Sequence, residues 1–217
     1  MDRIAEEREA GVSSVAEDLV RRAVAGEAGA LQRVLIPYQS RLLSRIRRKL
    51  PSQLVGAVGP EDVLQDVYID VFRGIGGLEQ TGERAFLRWL IQVTDHRLVD
   101  TIRTHQAAKR GGGWQAVTHA PGNSSIAPLI DIIHVDSQTP SQVFARDEVE
   151  AAVMVALAGL KEDYREVLRL RFIEGLSVAD TASRMNRTEW SVHKLCSRGL
   201  EQLRKTMGDL SRYLTKA

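Results

Sequence analysis

The sequence predicts an all-α protein made of two helical domains joined by a long linker. Three observations carry this. Apolar residues recur at three- and four-residue steps from about residue 16 to 104 and again from about 145 to 205, the period of amphipathic helices. No segment alternates as a half-buried strand does, and aromatics are only 5% of the chain, which disfavours a sheet-rich sandwich. Between the periodic stretches the chain turns to Gly, Pro, Ser and Asn with no period. The expected boundaries are a charged tail at 1–15, a helical domain at 16–106, a linker at 107–144 and a second helical domain at 145–217.

Taken in order, Leu19, Val20, Ala23 and Val24 begin the helical pattern, and Leu31, Val34, Leu35, Leu42, Leu43 and Ile46 continue it. Pro37 should kink or split this region, or open a new helix. A basic run, RIRRKL, closes it at 45–50. Gly59-Pro60-Glu61-Asp62 is a helix start, with proline at the first position and acids in the first turn. Val63, Leu64, Val67, Val71 and Phe72 form the core stripe of that helix, while Asp62, Gln65, Asp66 and Ile69 lie on its other surface. Gly74, Gly76 and Gly77 stop it. A loop through Arg84 leads to a long helix from about Ala85 to Thr104. In the linker, Ile130–Ile133 could make a short apolar grip. Beyond it, Val149, Val153, Ala156, Leu157 and Leu160 form one stripe and Tyr164, Val167, Leu168 and Phe172 another. Gly175 ends that helix. Ser177 caps the next, with Asp180 three residues on as an approximate capping box.

Residues 177–200, SVADTASRMNRTEWSVHKLCSRGL, read as two short helices broken at Asn186. A helix-turn-helix needs a small residue where its helices cross, a turn residue that tolerates positive φ, and apolar residues on the inner face of the second helix. Ala182 is the small residue. Asn186 follows four later, and asparagine is a common substitute for glycine in the left-handed region. Thr188 can cap the second helix. Val192 and Leu195 begin an inner stripe that runs through Cys196, Gly199, Leu200 and Leu203. The outer face offers Arg187, Ser191, Lys194 and Arg198, and residues 187–205 hold 5 basic against 2 acidic side chains. Such a helix fits the major groove of DNA. Spacing alone also allows a helical hairpin within an ordinary bundle. His193 reads as a surface or phosphate-facing residue. Trp190 reads equally well as packing on the preceding helix or as touching a thymine methyl or a sugar.

Composition sets limits. The net charge is only +2, with 17 basic against 15 acidic residues in 1–110, none against 2 in 111–145, and 13 against 11 in 146–217. Weak net charge does not exclude nucleic-acid binding, since what matters is whether positive charge gathers on one face. No apolar run reaches the length of a membrane span, and the N-terminus, MDRIAEEREAGVSS, is charged where a signal peptide is apolar. The single cysteine, Cys196, allows no internal disulfide and no cysteine-based zinc site, which fits a reducing cytoplasm. There is no Walker loop, metal-ligand cluster or nucleophile constellation, so neither an enzyme nor a cofactor or metal site is expected.

LKEDYREVLRLRFIEGLSVADTASRMNRTEWSVHKLCSRGLEQLRK at 160–205 resembles region 4 of bacterial RNA polymerase sigma factors of the extracytoplasmic-function type, within the sigma-70 family. The matching skeleton is Leu160, Arg165, Val167-Leu168, Leu170-Arg171, Gly175-Leu176-Ser177 and Asp180-Thr181-Ala182. Upstream, PEDVLQDVYIDVFRGI and FLRWLIQVTDHRLVDTIR look like region 2 of the same family, through Glu61-Asp62, Gln65-Asp66 and Val71-Phe72, and through Phe86, Trp89-Leu90, Val93, Asp100 and Arg103. Both blocks stand in the right order, separated by a linker, in a chain of the right size. Asp95-His96 departs from the family's frequent Arg-Asn, and Trp190 from its small residue.

The resemblance implies a subunit that binds core RNA polymerase and directs promoter-specific initiation, with region 2 melting the −10 box and region 4 reading the −35 box. It implies polymerase binding by Asp62, Gln65, Asp66 and Ile69, docked on the clamp helices of the large subunit by charge complementarity around Ile69. For the −10 box it points to the loop at 76–84 as the base-capturing loop and to Arg88, Arg97, Arg103, Lys109 and Arg110 as phosphate contacts. Phe86 and Trp89 join them as stacking candidates, although their spacing with Leu90 and Val93 favours core packing. For the −35 box it points to Arg187, Lys194 and Arg198 at phosphates and to Thr188, Glu189 and Ser191 at base edges. Arg169 and Arg171 are further backbone candidates, at least one of which could serve an ion pair instead. Expected partners are core polymerase, promoter DNA and an anti-sigma protein, with no membrane insertion. The competing reading, a freestanding helix-turn-helix regulator, explains 160–205 but leaves 60–103 without a role. A recombinase-like enzyme lacks its constellation.

Overall fold

The computed structural model describes residues 15–54, 57–110, 126–135 and 146–214. Among them the regular elements are all helices, with no strand. The chain divides into two compact units, Met1–His119 and Ala120–Ala217.

The first unit begins with α1 (15–24) and α2 (Ala28–Leu35), separated at Gly26, whose φ of 94° a side chain would strain. Pro37 splits the region as its fixed φ and missing N–H require, sitting in a 3-10 turn, Ile36–Tyr38, before α3 (Gln39–Lys49). Helix α4 (Pro60–Gly74) starts at the expected signal: Gly59 is extended, Pro60 opens the helix, and Glu61 and Asp62 fill its first turn. Helix α5 runs from Glu83 to Arg110, six residues beyond the expected Thr104. Helices α3, α4 and α5 pack on one another. Leu42, Ile46, Leu64, Phe86 and Leu90 are fully buried among them. Tyr68 is as well, although periodicity did not single it out, and its hydroxyl has no hydrogen-bond partner. Phe72, expected in the core, is only half-buried.

The basic run of α3 binds the unit together. Arg45 donates to both carboxylate oxygens of Asp95 at 2.8 and 2.6 Å, Lys49 reaches the same carboxylate at 2.9 Å, and Arg47 pairs with Glu61 at 2.7 Å. Asp95 thereby ties α3 to α5 and Glu61 ties it to α4. Between α4 and α5, Arg97 donates to both oxygens of Asp70 at 2.7 and 2.6 Å.

The second unit contains α6 (Ala127–Val135), α7 (Arg146–Ala158), α8 (Glu162–Leu168), a π-helical turn (Arg169–Ile173), α9 (Val178–Met185) and α10 (Glu189–Leu214). Helix α10 packs across α7, α8 and α9. Arg165 donates to the carbonyls of Ala158 and Leu160, closing the C-terminal end of α7. In the π turn, the Glu174 N–H bonds the Arg169 carbonyl five residues back at 2.9 Å. Gly175, at φ 70°, then ends the segment, and the Leu176 N–H returns to the Leu170 carbonyl.

Helix α6 lies within the span read from sequence as linker. Its nine residues, APLIDIIHV, bury Leu129 and Ile133 and pack on α7 and the π turn. Arg204 of α10 donates to the Ile132 carbonyl at 3.4 Å. The tail 1–14 and the remaining stretches of that span, 111–125 and 136–145, lie outside the described residues.

Candidate nucleic-acid interface

The turn at Asn186 takes the conformation its sequence requires. Asn186 sits at φ 50° and ψ 51°, in the left-handed region, and is the only non-glycine residue with positive φ among the described residues. The N–H of Arg187 bonds the Ala182 carbonyl at 2.9 Å, satisfying the end of α9. Both flanking caps form. Ser177 Oγ accepts from the Asp180 N–H at 3.0 Å, and Thr188 Oγ1 accepts from the Ser191 N–H at 3.2 Å. Ala182 is buried where the helices cross, Val192 and Leu203 are fully buried, and Leu195 and Leu200 are half-buried. A side chain at Gly199 would meet Leu168 at 3.3 Å and Tyr164 at 3.4 Å, so its small size permits the close crossing of α10 and α8. Cys196 is half-buried on the same face, and burial raises its thiol pKa, as befits a packing residue.

The opposite face of α10 exposes Glu189, Trp190, His193, Lys194 and Arg198. Trp190 is 70% exposed, with Lys194 Nζ 4.6 Å from the ring centroid. Arg187, at the turn, pairs with Asp163 of α8 at 3.2 Å. Arg169 and Arg171 are engaged closer to home. Arg169 bonds Glu166 and Glu174, and Arg171 donates to the Leu176 carbonyl, so both are taken up within the fold.

In the first unit, Arg88, Gln92, His96, Val99 and Arg103 follow one another at three- and four-residue steps on the exposed side of α5. Arg88 and Arg103 are about 22 Å apart along the axis at 1.5 Å per residue. Arg97 faces α4. Burial works against its charge, but Asp70, with Asp66 and Asp100 nearby, more than offsets this and raises its pKa. Asp66 and Asp100, with Asp62 and Arg97 itself, line an open cleft between α4 and α5 of about 250 Å³, together with Thr101 and His105. On α4, Asp66 is exposed, and Asp62, Gln65 and Ile69 are half-buried. Trp89 is half-buried, its ring 6.1 Å from that of Phe86 and close enough to Gly74 that a Cβ there would stand 3.4 Å away.

Residues 150–203, most of the helices just described in the second unit, match the family model for sigma-70 region 4. The chain is 29% identical over 202 residues to the RNA polymerase sigma-H factor of Pseudomonas aeruginosa, covering 90% of this chain and 95% of that one. It is 30% identical over 149 residues to the ECF RNA polymerase sigma factor SigX of Bacillus subtilis, covering 68% of this chain and 70% of that one. The chain belongs to the ECF sigma factors. It is also 24% identical over 178 residues to the ECF RNA polymerase sigma-E factor of Escherichia coli K12. As a sigma factor, it acts in promoter-specific initiation of transcription by RNA polymerase. No described helix is long and apolar enough to cross a membrane.

The structure of this sigma factor brings some sequence-chosen residues together and separates others. Lys194 and Arg198, one turn apart, share the outer face of α10, and Glu189 is exposed at its start. Thr188 is exposed but its hydroxyl oxygen caps the helix, while Ser191 is half-buried and its amide feeds that cap. Arg88 and Arg103 share one face of α5, whereas Arg97 is held by Asp70 on another. The side chains of Lys109 and Arg110 lie outside the described residues. Sequence reasoning missed the ion-pair hub at Asp95, although the departure from Arg-Asn at 95–96 was its only visible trace.

Proposed function

We propose that the first unit docks on core polymerase and captures the opened −10 box while the second reads the −35 box as duplex. The observation that best supports this is the α10 face: a helix entered through a left-handed Asn186, buried along Val192 and Leu203, and presenting Glu189, Lys194 and Arg198 to solvent. Lys194 and Arg198 neutralise phosphates. Glu189 and the exposed side of Thr188 face base edges, with glutamate favouring cytosine amino groups. Arg187 reaches a phosphate by exchanging its exposed pair with Asp163, which costs little at the surface.

On the first unit, the stretch at 76–84, which runs from a 3-10 turn into the first residues of α5, takes unpaired bases, and Arg88 and Arg103 track the strand along α5. Capturing bases as they emerge shifts the melting equilibrium, since unstacking costs a few kcal/mol per base and stacking or pocket binding offsets it. Arg97 serves from the side, holding α4 against α5. The acidic face of α4, with Asp62, Gln65 and Asp66 around Ile69, meets the basic clamp helices of the large subunit. The protein acts in the cytoplasm, without cofactor or catalysis of its own, and an anti-sigma protein is the expected kind of regulator.

Run-off transcription with purified core polymerase tests the reading. Promoter-specific transcripts are expected with the full chain and none with core alone. Asp66→Arg should weaken capture of core polymerase while leaving the circular dichroism spectrum intact. Unchanged capture would remove α4 as the docking face.

A further inference from the structure

Trp190 has no structural reason to be where it is. It stands at the second position of α10, 70% exposed, so it does not fill the space between α9 and α10, which Ala182 and Val192 already occupy. Exposed tryptophan leaves a large apolar area in water. Its surroundings also argue against a protein partner. The other large exposed hydrophobics among the described residues are Val15 and Val99, both in the first unit, so the ring is not part of an apolar patch of the kind a protein interface is built on. The exposed side chains on either side of it in sequence are polar and include Arg187, Thr188, His193, Lys194 and Arg198, against Glu189. Lys194 sits over the ring at 4.6 Å, which fixes the indole near the face that also carries the phosphate-binding charge.

We propose that Trp190 is a specificity residue, making an apolar contact with the 5-methyl group of a thymine in the upstream promoter box. The proposal rests on the reading of α10 as the duplex-reading helix. In the major groove the thymine methyl is the one apolar feature by which a base pair is told apart. A residue at the start of a groove helix reaches base edges. Lys194 covers one face of the ring, and its ammonium remains available to a neighbouring phosphate, so one pair of side chains combines a methyl contact with a backbone contact.

The test is a methyl-deletion cycle. A promoter fragment is selected from a randomised pool with holoenzyme assembled from core polymerase and the full chain. Each thymine of its upstream box is then replaced singly by deoxyuridine, which lacks only the methyl. One position should weaken binding by wild-type holoenzyme about fourfold, the worth of one buried methyl-sized group. The same replacement should have no effect on Trp190→Ala holoenzyme. Lys194→Ala should retain part of the methyl effect. A merely structural role for Trp190 would lower binding to both fragments equally. Base-pair swaps in the box separate the two levels of the argument. If swaps weaken binding but no deoxyuridine effect depends on Trp190, the methyl contact is overturned while α10 remains the reading helix, and the ring is then left to a protein partner. If swaps have no effect, the reading helix and the methyl contact fall together.

Discussion

Arg45 and Asp95 meet as a two-pronged pair, guanidinium to carboxylate at 2.8 and 2.6 Å, joining α3 to α5 across fifty residues of chain. The geometry is the strong form of a charge-assisted hydrogen bond, and Lys49 adds a third donor at 2.9 Å. Asp95 is 31% exposed, so solvent weakens the pair without dissolving it.

The hydrogen bond from Arg45, aided by Lys49 and opposed by partial burial, pulls the Asp95 carboxyl from its ordinary 3.8 to about 2. The folded value is below the unfolded one. Stability from this group is therefore complete above about pH 4 and is lost as the pH falls through about 2. Asp95→Asn should cost about 1–2 kcal/mol at pH 7, and the gap to wild type should close as the pH approaches 2. Urea unfolding of both proteins across this range checks it. A gap that does not change with pH would show that the charge is not what stabilises.

Arg97 and its helix neighbours Arg88 and Arg103 should divide cleanly. Arg97→Ala leaves Asp70 without its partner and should cost about 1–3 kcal/mol, seen as a drop of several degrees in the melting temperature. Arg88→Ala and Arg103→Ala should keep the melting temperature and reduce promoter opening, read by permanganate reactivity of unpaired thymines in the open complex. An Arg97→Ala protein as stable as wild type would mean that the Asp70 pair carries no structural weight.

At the helix-turn-helix, Asn186 occupies a backbone conformation that costs most side chains about 1–2 kcal/mol. Asn186→Gly should unfold within a few tenths of a kcal/mol of wild type, and Asn186→Ala should lose about 1 kcal/mol. Denaturant midpoints of the three proteins decide it. Equal loss in both variants would place the contribution of Asn186 in its amide rather than its backbone.

Much of this was legible because it is local. Gly59-Pro60-Glu61-Asp62 announces a helix start, and Asn186 and Thr188 announce a turn and a cap, through interactions spanning four residues or fewer. The pairs that set the first unit were not, since Arg45–Asp95 and Arg97–Asp70 join residues 50 and 27 apart and only folding brings them together. Read as a string, RIRRKL at 45–50 is only a basic run; folded, three of its four cations answer Asp95 and Glu61. Trp190 reads two ways because α-helical spacing does not say which neighbours already fill the core. Helix α6 was hidden by a composition that turns to Gly, Pro and Ser on its N-terminal side.

The π turn at Arg169–Ile173 has one further consequence for how this molecule can change over evolutionary time. The turn ends α8 with the Glu174 N–H on the Arg169 carbonyl, five residues back, and around it Arg169 pairs with Glu166 and Glu174 while Arg171 reaches the Leu176 carbonyl. Losing one residue here would cut that closing spacing from five residues to four, α in place of π, and re-aim the chain that Gly175 turns toward α9. Codon-sized deletions in this short segment should thus be purged even where exchange of half-buried Phe172 or Ile173 survives: here chain length is inherited as strictly as the two arginines.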